Sequence, residues 1–181
     1  EKMGFPVQAI HVPKTVDNDL PITDNCPGFG SVAKYIAVST LEASYDVRSM
    51  AATSTKIFVI EVMGRHAGWI AAAGALVEDY GIPVITLFPE IEFDQDKFTA
   101  AVDAKVQEHG YCTIVVSEGA HYPDGTFLAE QGTRDDFGHA QLGGAAPIVA
   151  NMVKEALGHK FHWAVADYLQ RAARHLSPES D

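Results

Sequence analysis

The segment Pro13-Lys14-Thr15-Val16-Asp17-Asn18-Asp19 packs one cation and two carboxylates into the six residues from Lys14 to Asp19. Moving a phosphoryl group onto a hydroxyl needs a base near the hydroxyl proton and positive charge near the transferring phosphate. Asp17 can serve as the base, Asp19 can orient it or approach a Mg2+ ion, and Lys14 can neutralise phosphate oxygens. Thr15 and the N–H groups of the loop can hold the phosphoryl group in line. The same composition also suits a solvated turn in which Asp and Asn bond their own backbone. The segment alone does not decide between these readings.

Further along, Met63-Gly64-Arg65-His66-Ala67-Gly68 combines a glycine that permits close backbone approach with an arginine at the start of a helix. That is an anion-binding arrangement, or equally a tight turn with a solvated arginine. Glu118 can accept hydrogen bonds from sugar hydroxyls or serve as a structural carboxylate. Tyr168-Leu169-Gln170-Arg171-Ala172-Ala173-Arg174 is a basic patch that suits a phosphate or an ordinary helix surface. Gly28-Phe29-Gly30-Ser31-Val32-Ala33 follows a Pro-rich loop, not a strand, and so is a poor dinucleotide fingerprint. Ser117-Glu118-Gly119 is not a nucleophile elbow. His66 has no partner at metal-ligand spacing, and the eight histidines are scattered.

These residues fall between recognisable elements. Val7–Val12 reads as a buried strand stopped by Pro13. A helix is predicted from about Ser31 to Ala52, with Val32, Tyr35, Ile36, Ser39, Ala43 and Val47 as its inner stripe. Ile57–Val62 is a near-continuous apolar run, as in a central parallel strand covered on both faces. An Ala-rich helix from about Ala67 to Asp79 ends at Gly81 and Pro83, and Val84–Leu87 is the next strand. Lys97–Glu108 reads as a helix capped by Gly110, followed by a strand over Thr113–Ser117 and a turn over Tyr122–Thr126. A Gly-rich stretch leads to a helix over Ala146–Leu157, then a short strand at Phe161–Val165 and a polar, frayed tail from Ser177. Alternating strands and helices give an α/β fold with a mainly parallel sheet, whose ligands sit beyond the carboxyl ends of the strands. The loop from Pro13, the Met63–Arg65 turn and Glu118 all fall at such ends.

The chain has 181 residues, 47% of them hydrophobic and 20% charged, enough to bury one good core. A net charge of -11 disfavours nonspecific binding to nucleic acid or to an anionic membrane. A small phosphorylated ligand needs only a few local cations. Cys26 and Cys112 form no closely spaced framework, so reduced thiols and a cytoplasmic setting are expected. No apolar run approaches the roughly 20 residues of a membrane span, and the sequence around Glu1 reads like the interior of a longer chain.

In this order, the motifs resemble those of the phosphofructokinase family from about Val7 to Arg174. Pro13–Asp19 resembles the catalytic loop, Glu61-Val62-Met63-Gly64-Arg65 the E-V-M-G-R segment, Glu118 a sugar-binding glutamate, and Tyr168-Leu169-Gln170-Arg171 the phosphate-binding segment. The resemblance implies a three-layer α/β/α sandwich and glycolytic phosphoryl transfer to the 1-hydroxyl of fructose 6-phosphate, giving fructose 1,6-bisphosphate. It gives Asp17 the role of general base, with Thr15 and Val16 beside the hydroxyl. Met63, Gly64 and Glu118 would contact the sugar, Arg65 would offset charge, and Tyr168 through Arg171 would hold the 6-phosphate. Lys56 and His162 lie where many bacterial members place arginines that reach the 6-phosphate in a neighbouring subunit. A homodimer or homotetramer follows.

Lys14 speaks to the donor. Bacterial ATP-dependent members usually have Gly there, and pyrophosphate-dependent members have Lys, so the resemblance favours pyrophosphate with Mg2+ over ATP. The family's donor loop is absent, and the main Mg2+ ligand with it, leaving Asp19 as the metal contact within this sequence. Residues 1–28 are expected to join a donor-binding domain, residues 29–174 to form the sugar-phosphate-binding domain, and residues 175–181 to be a tail. As such a partial chain, it is not expected to turn over alone. A noncatalytic sugar-phosphate-binding subunit and an NAD-dependent oxidoreductase are the competing readings. Asp17 with Asp19 argues against the first, and the poor Gly28–Gly30 context against the second.

Overall fold

The structure is a computed structural model that describes residues 4, 6–134, 140–142, 144–173 and 175–177. Its centre is the strand β1 (Ile57–Val62), every residue of which is buried. β1 pairs in parallel with β3 (Cys112–Ser117) on one side and β6 (Phe161–Val165) on the other. β2 (Val84–Leu87) adds to the far side of β3, giving the order β2-β3-β1-β6. The continuous apolar runs of β1 and β3 have the physical cause expected of them, since helices cover both faces of the sheet.

Alternation along β1 separates two cores. Ile57 and Val59 join Cys112, Ile114 and Val116 against α3 (Gln95–His109) and α4 (Ala145–Leu157). Phe58, Ile60 and Val62 face the other way, onto α1 (Phe29–Met50) and α2 (Trp69–Ala75). The result is three layers, α/β/α.

The inner stripe of α1 is rotated from the one the apolar pattern suggests. Ser31, Val32, Ile36, Thr40, Ser44 and Val47 are buried, whereas Tyr35, Ser39 and Ala43 are half-buried. The reason is polar pairing. The Ser44 hydroxyl bonds both the Thr40 carbonyl (2.6 Å) and the Thr113 hydroxyl on β3 (2.8 Å), so small hydroxyl side chains can line the closest approach of helix to sheet. Similarly, a Cβ on Gly74 of α2 would stand 3.0 Å from Val115, which leaves little room for a larger residue.

Other differences are local. Val7–Val12 is not a strand but an exposed segment, with Ile10 90% exposed. An apolar run records an appetite for burial, and no described strand pairs with this one. The helix expected over Ala67–Asp79 is α-helical only through Ala75 and tightens into a 3-10 turn over Leu76–Tyr80. Ahead of α4, β4 (Glu130–Arg134) pairs antiparallel with β5 (Ala140–Leu142), which the sequence did not announce. The backbone N–H groups of Leu176 and Ser177 donate to the Ser31 hydroxyl at 3.1 and 3.0 Å, so the chain is anchored there and not frayed. Residues 178–181 of the expected tail, and Arg174 of the basic patch, lie outside the described residues.

The topology opens one crevice. After β1 the chain passes to α2 on one face, and after neighbouring β3 it proceeds to α4 on the opposite face. Between the carboxyl ends of β1 and β3 the connections diverge, which is where doubly wound sheets bind ligands.

Candidate active site

The loop carrying Asp17 is held by the residue beside it. Asn18 is buried and left-handed (φ 56°), a conformation Asn tolerates better than most residues. Its side-chain Oδ1 accepts the Cys26 N–H at 2.9 Å and its Nδ2 donates to the Asp24 carbonyl at 3.3 Å. The 13–28 segment is thereby closed on itself, with Asp17 and Asp19 on either side of the knot. Asp17 is half-buried and Asp19 exposed. The Thr15 hydroxyl accepts the Asp17 N–H at 3.1 Å, fixing these two residues relative to each other. One half of the bland reading of this loop is therefore correct: it contains a self-bonded turn, but Asn18 makes it and Asp17 is left available.

Asp17 and the strand-end residues meet in the crevice. A cavity of about 220 Å³ is lined by Lys14, Thr15, Val16, Asp17, Met63 and Arg171, together with Val12, Pro13 and Pro27. The Asp17 Oδ1 atom is buried and has no hydrogen-bond partner among the described residues. Burial and the neighbouring Asp19 charge push the Asp17 carboxyl above the ordinary aspartate range, partly offset by Lys14, Arg65 and Arg171. Glu118 is raised likewise, first by burial and then by the Asp17 charge, against the pull of Arg65 and a backbone hydrogen bond from Gly64. Asp17, Glu118 and Arg65 thus share one electrostatic neighbourhood. Lys14, Arg65 and Arg171 bring positive charge to this one carboxyl in a chain of net charge -11.

The turn after β1 is shaped by backbone constraints. Gly64 sits at φ 123°, and a Cβ there would come within 2.5 Å of the Ala67 carbonyl oxygen. A Cβ on Gly119, in the turn after β3, would overlap the Arg65 carbonyl. From the third side, Gln170 on α5 (Asp167–Ala172) is fully buried, and its Oε1 accepts the Met63 N–H at 3.3 Å. Its Nε2 atom is buried without a partner among the described residues.

The structure does not gather every residue singled out in the sequence. Lys56 precedes β1, where its carbonyl accepts the Cys112 N–H, and His162 is exposed on β6 opposite Phe58. Both lie toward the amino ends of the strands, away from Asp17. Tyr168 and Leu169 are exposed and do not line the cavity, unlike Arg171 of the same helix. Asp19 lines a separate cavity of about 380 Å³ with Asn18, Thr23 and Trp69. Asn18 and Ser117 were legible only as a turn former and as a failed nucleophile, and neither type carries a signal for what it does here.

Among the described residues no group of three or more His, Cys, Asp or Glu side chains could hold a metal ion. Mg2+ needs only one or two carboxylates, with its remaining ligands from phosphate and water; Asp19, exposed on its own cavity, presents one such carboxylate. Cys26 and Cys112 are both free and buried, and burial pushes the Cys112 thiol up to about 12, so it is inert. No helix is long and apolar enough to cross a membrane among the described residues.

A doubly wound sheet with an acid and basic side chains meeting at its switch point defines a class, and the chain belongs to the phosphofructokinase family, whose model matches residues 1–174. It is 68% identical over 183 aligned positions to a pyrophosphate--fructose 6-phosphate 1-phosphotransferase of Methylococcus capsulatus, covering 100% of this chain and 44% of that protein. A protein of the same name from Halomonas elongata is also 68% identical, with the same coverage. Among solved structures, a pyrophosphate-dependent phosphofructokinase from Nitrosospira multiformis is 66% identical with a TM-score of 0.84, covering 96% of this chain and 41% of that one. The chain therefore spans less than half the length of the relatives it matches.

Proposed function

We propose that this chain is the acceptor-side portion of a pyrophosphate-dependent 6-phosphofructokinase. The full-length enzyme would transfer a phosphoryl group from pyrophosphate to the 1-hydroxyl of fructose 6-phosphate, giving fructose 1,6-bisphosphate and phosphate. The observation that carries the reading is the Asp17 carboxyl: half-buried, with Oδ1 unpartnered, on a cavity that it shares with Lys14, Thr15 and Arg171. An unpartnered buried acceptor within reach of the Lys14, Arg65 and Arg171 charges is costly for a turn and useful for a base. The names carried by relatives at 68% identity support the donor and acceptor.

In this reading Asp17 takes the proton of the 1-hydroxyl as that oxygen bonds to phosphorus and the bridging P–O bond to the leaving phosphate breaks. Asp17 ends protonated and releases the proton to solvent. Lys14 and Arg65 offset negative charge on the transferring group and the leaving phosphate, and Thr15 orients the loop through the Asp17 N–H. Met63, Gly64 and Glu118 contact the sugar, and Arg171 holds the 6-phosphate, while Gln170 of the same helix positions Met63 through its N–H. Mg2+, contacted by Asp19, would neutralise phosphate oxygens when bound. Lys56 and His162, distant from Asp17 within one chain, are assigned to the 6-phosphate in a neighbouring copy of a homodimer or homotetramer.

The deciding experiment uses the full-length protein with fructose 6-phosphate and Mg2+, supplying pyrophosphate or ATP. Turnover with pyrophosphate is expected. Turnover with ATP alone would overturn the donor assignment, and a protein that binds the sugar phosphate but turns over with neither would be a noncatalytic subunit.

A further inference from the structure

We propose that Ser117 is a positioning residue that clamps the two site turns together, setting where the acceptor sugar is held. The inference rests on the function proposed above for the turns themselves. Ser117 closes β3, opposite Val62 at the end of β1, and is completely buried. Its hydroxyl donates to the Gly64 carbonyl across the crevice and accepts the Gly119 N–H at 3.3 Å. One oxygen thus joins the Met63–Arg65 turn to the Glu118–Gly119 turn.

The surroundings make this hydroxyl difficult to replace. Gly64 needs its left-handed backbone, and Gly119 presses on the Arg65 backbone closely enough to exclude a Cβ. The two turns therefore touch main chain to main chain, and any slip of one past the other moves Arg65 relative to Glu118. The Glu118 N–H, bonded to the Val62 carbonyl at 2.9 Å, fixes the base of the crevice. Ser117 supplies the hydrogen bond to the Gly64 carbonyl on the other side of the crevice. A buried hydrogen bond of this kind sets geometry, and losing it leaves a buried acceptor unpaired, which the turns can relieve only by shifting. The sequence offers Ser117 only as a residue lacking the G-x-S-x-G context of a nucleophile; the structure gives the hydroxyl two backbone partners.

The test compares Ser117→Ala and Ser117→Cys with the parent in the full-length protein. Cysteine keeps a side-chain atom in place, somewhat larger than the hydroxyl, but bonds weakly, so with alanine it separates an emptied site from lost hydrogen bonding. Ser117→Ala should raise the KM for fructose 6-phosphate about tenfold, leave the KM for pyrophosphate within twofold, and keep a cooperative thermal transition; Ser117→Cys should fall between. Unchanged acceptor KM in an active Ser117→Ala enzyme would overturn the clamp. So would parallel changes in both KM values, which would mark a merely structural residue. Hydrogen exchange at the amides of Gly64, Arg65 and Gly119 reads the clamp without turnover: faster exchange in Ser117→Ala supports it, and unchanged exchange overturns it. A parent that turns over no sugar phosphate with either donor counts against the proposed function, while the exchange result still decides the clamp.

Discussion

The Glu61 carboxylate on the central strand accepts the Ala146 N–H at 2.9 Å, at the first turn of α4, with the Gly144 N–H adding bonds of 3.0 and 3.1 Å. A carboxylate at a helix N-terminus satisfies donors that the helix cannot, and it favours the positive end of the helix dipole. Here it does so from inside the sheet, 2% exposed, so β1 and the chain entering α4 are tied beneath the crevice. Glu61→Gln turns an amide toward backbone donors and is expected to destabilise the full-length protein by about 2–4 kcal/mol. Urea unfolding followed by circular dichroism measures it; a loss under about 0.5 kcal/mol would mean that the helix start is held by packing.

Asp17 should trade stability for chemistry. Its raised pKa means that ionising it opposes folding: this contribution to stability is full below the unfolded aspartate pKa and is lost as pH rises through the folded value. At neutral pH, Asp17→Asn should therefore raise Tm slightly, by about 1–3 °C. Turnover should fall by about 10²–10⁴-fold with fructose 6-phosphate still bound. Asp17→Ser should lose activity similarly. Turnover within threefold of the parent in either variant would remove Asp17 as the base.

The pH profile tests the electrostatic neighbourhood. A base works only when deprotonated, so kcat/KM should rise with pH through an acid limb placed above the ordinary aspartate range. Arg65 lowers both Asp17 and Glu118, so Arg65→Gln should move that limb to higher pH as well as reduce the rate. A limb that stays in place would separate Arg65 from the titrating group.

Lys14 is exposed and lines the Asp17 cavity. If it stabilises the leaving phosphate of pyrophosphate, Lys14→Gly should cut kcat with pyrophosphate about 10²-fold while the KM for fructose 6-phosphate stays within threefold. Initial-rate measurements with each substrate varied would show the split; a larger effect on the sugar would move Lys14 to the acceptor side.

Asn18→Ala removes two hydrogen bonds and places a side chain poorly suited to φ 56°. A loss of about 2–3 kcal/mol is expected, with activity falling because the knot beside Asp17 opens. Limited proteolysis in the 13–28 segment should accelerate. If neither the melting temperature nor the cleavage rate changes, the loop is held by other means.

Most of the scaffold is written in local sequence. β1, β2 and β6 follow from short β-branched or aromatic runs with turn residues at their ends, and α3 from its polar run and Gly110 cap, because strand propensity and capping are properties of a few adjacent residues. The catalytic-type loop, the Met63–Arg65 turn, Glu118 and Arg171 were legible as candidate chemistry, each with a bland alternative that no local pattern could remove. What brings them together is distance between elements far apart in the chain. Strand order sets the β1 and β3 turns against each other at the switch point and sends Lys56 and His162 toward the other end of the sheet. The exposure of Val7–Val12 and the hydroxyl-lined face of α1 likewise depend on which surfaces meet. Asp17, by its type and its neighbours in sequence, determined which reaction could be asked of this protein. Its burial, its unpartnered oxygen and its company with Arg65, Glu118 and Arg171 exist only in the tertiary structure, because desolvation and Coulomb forces depend on separation in space and not along the chain.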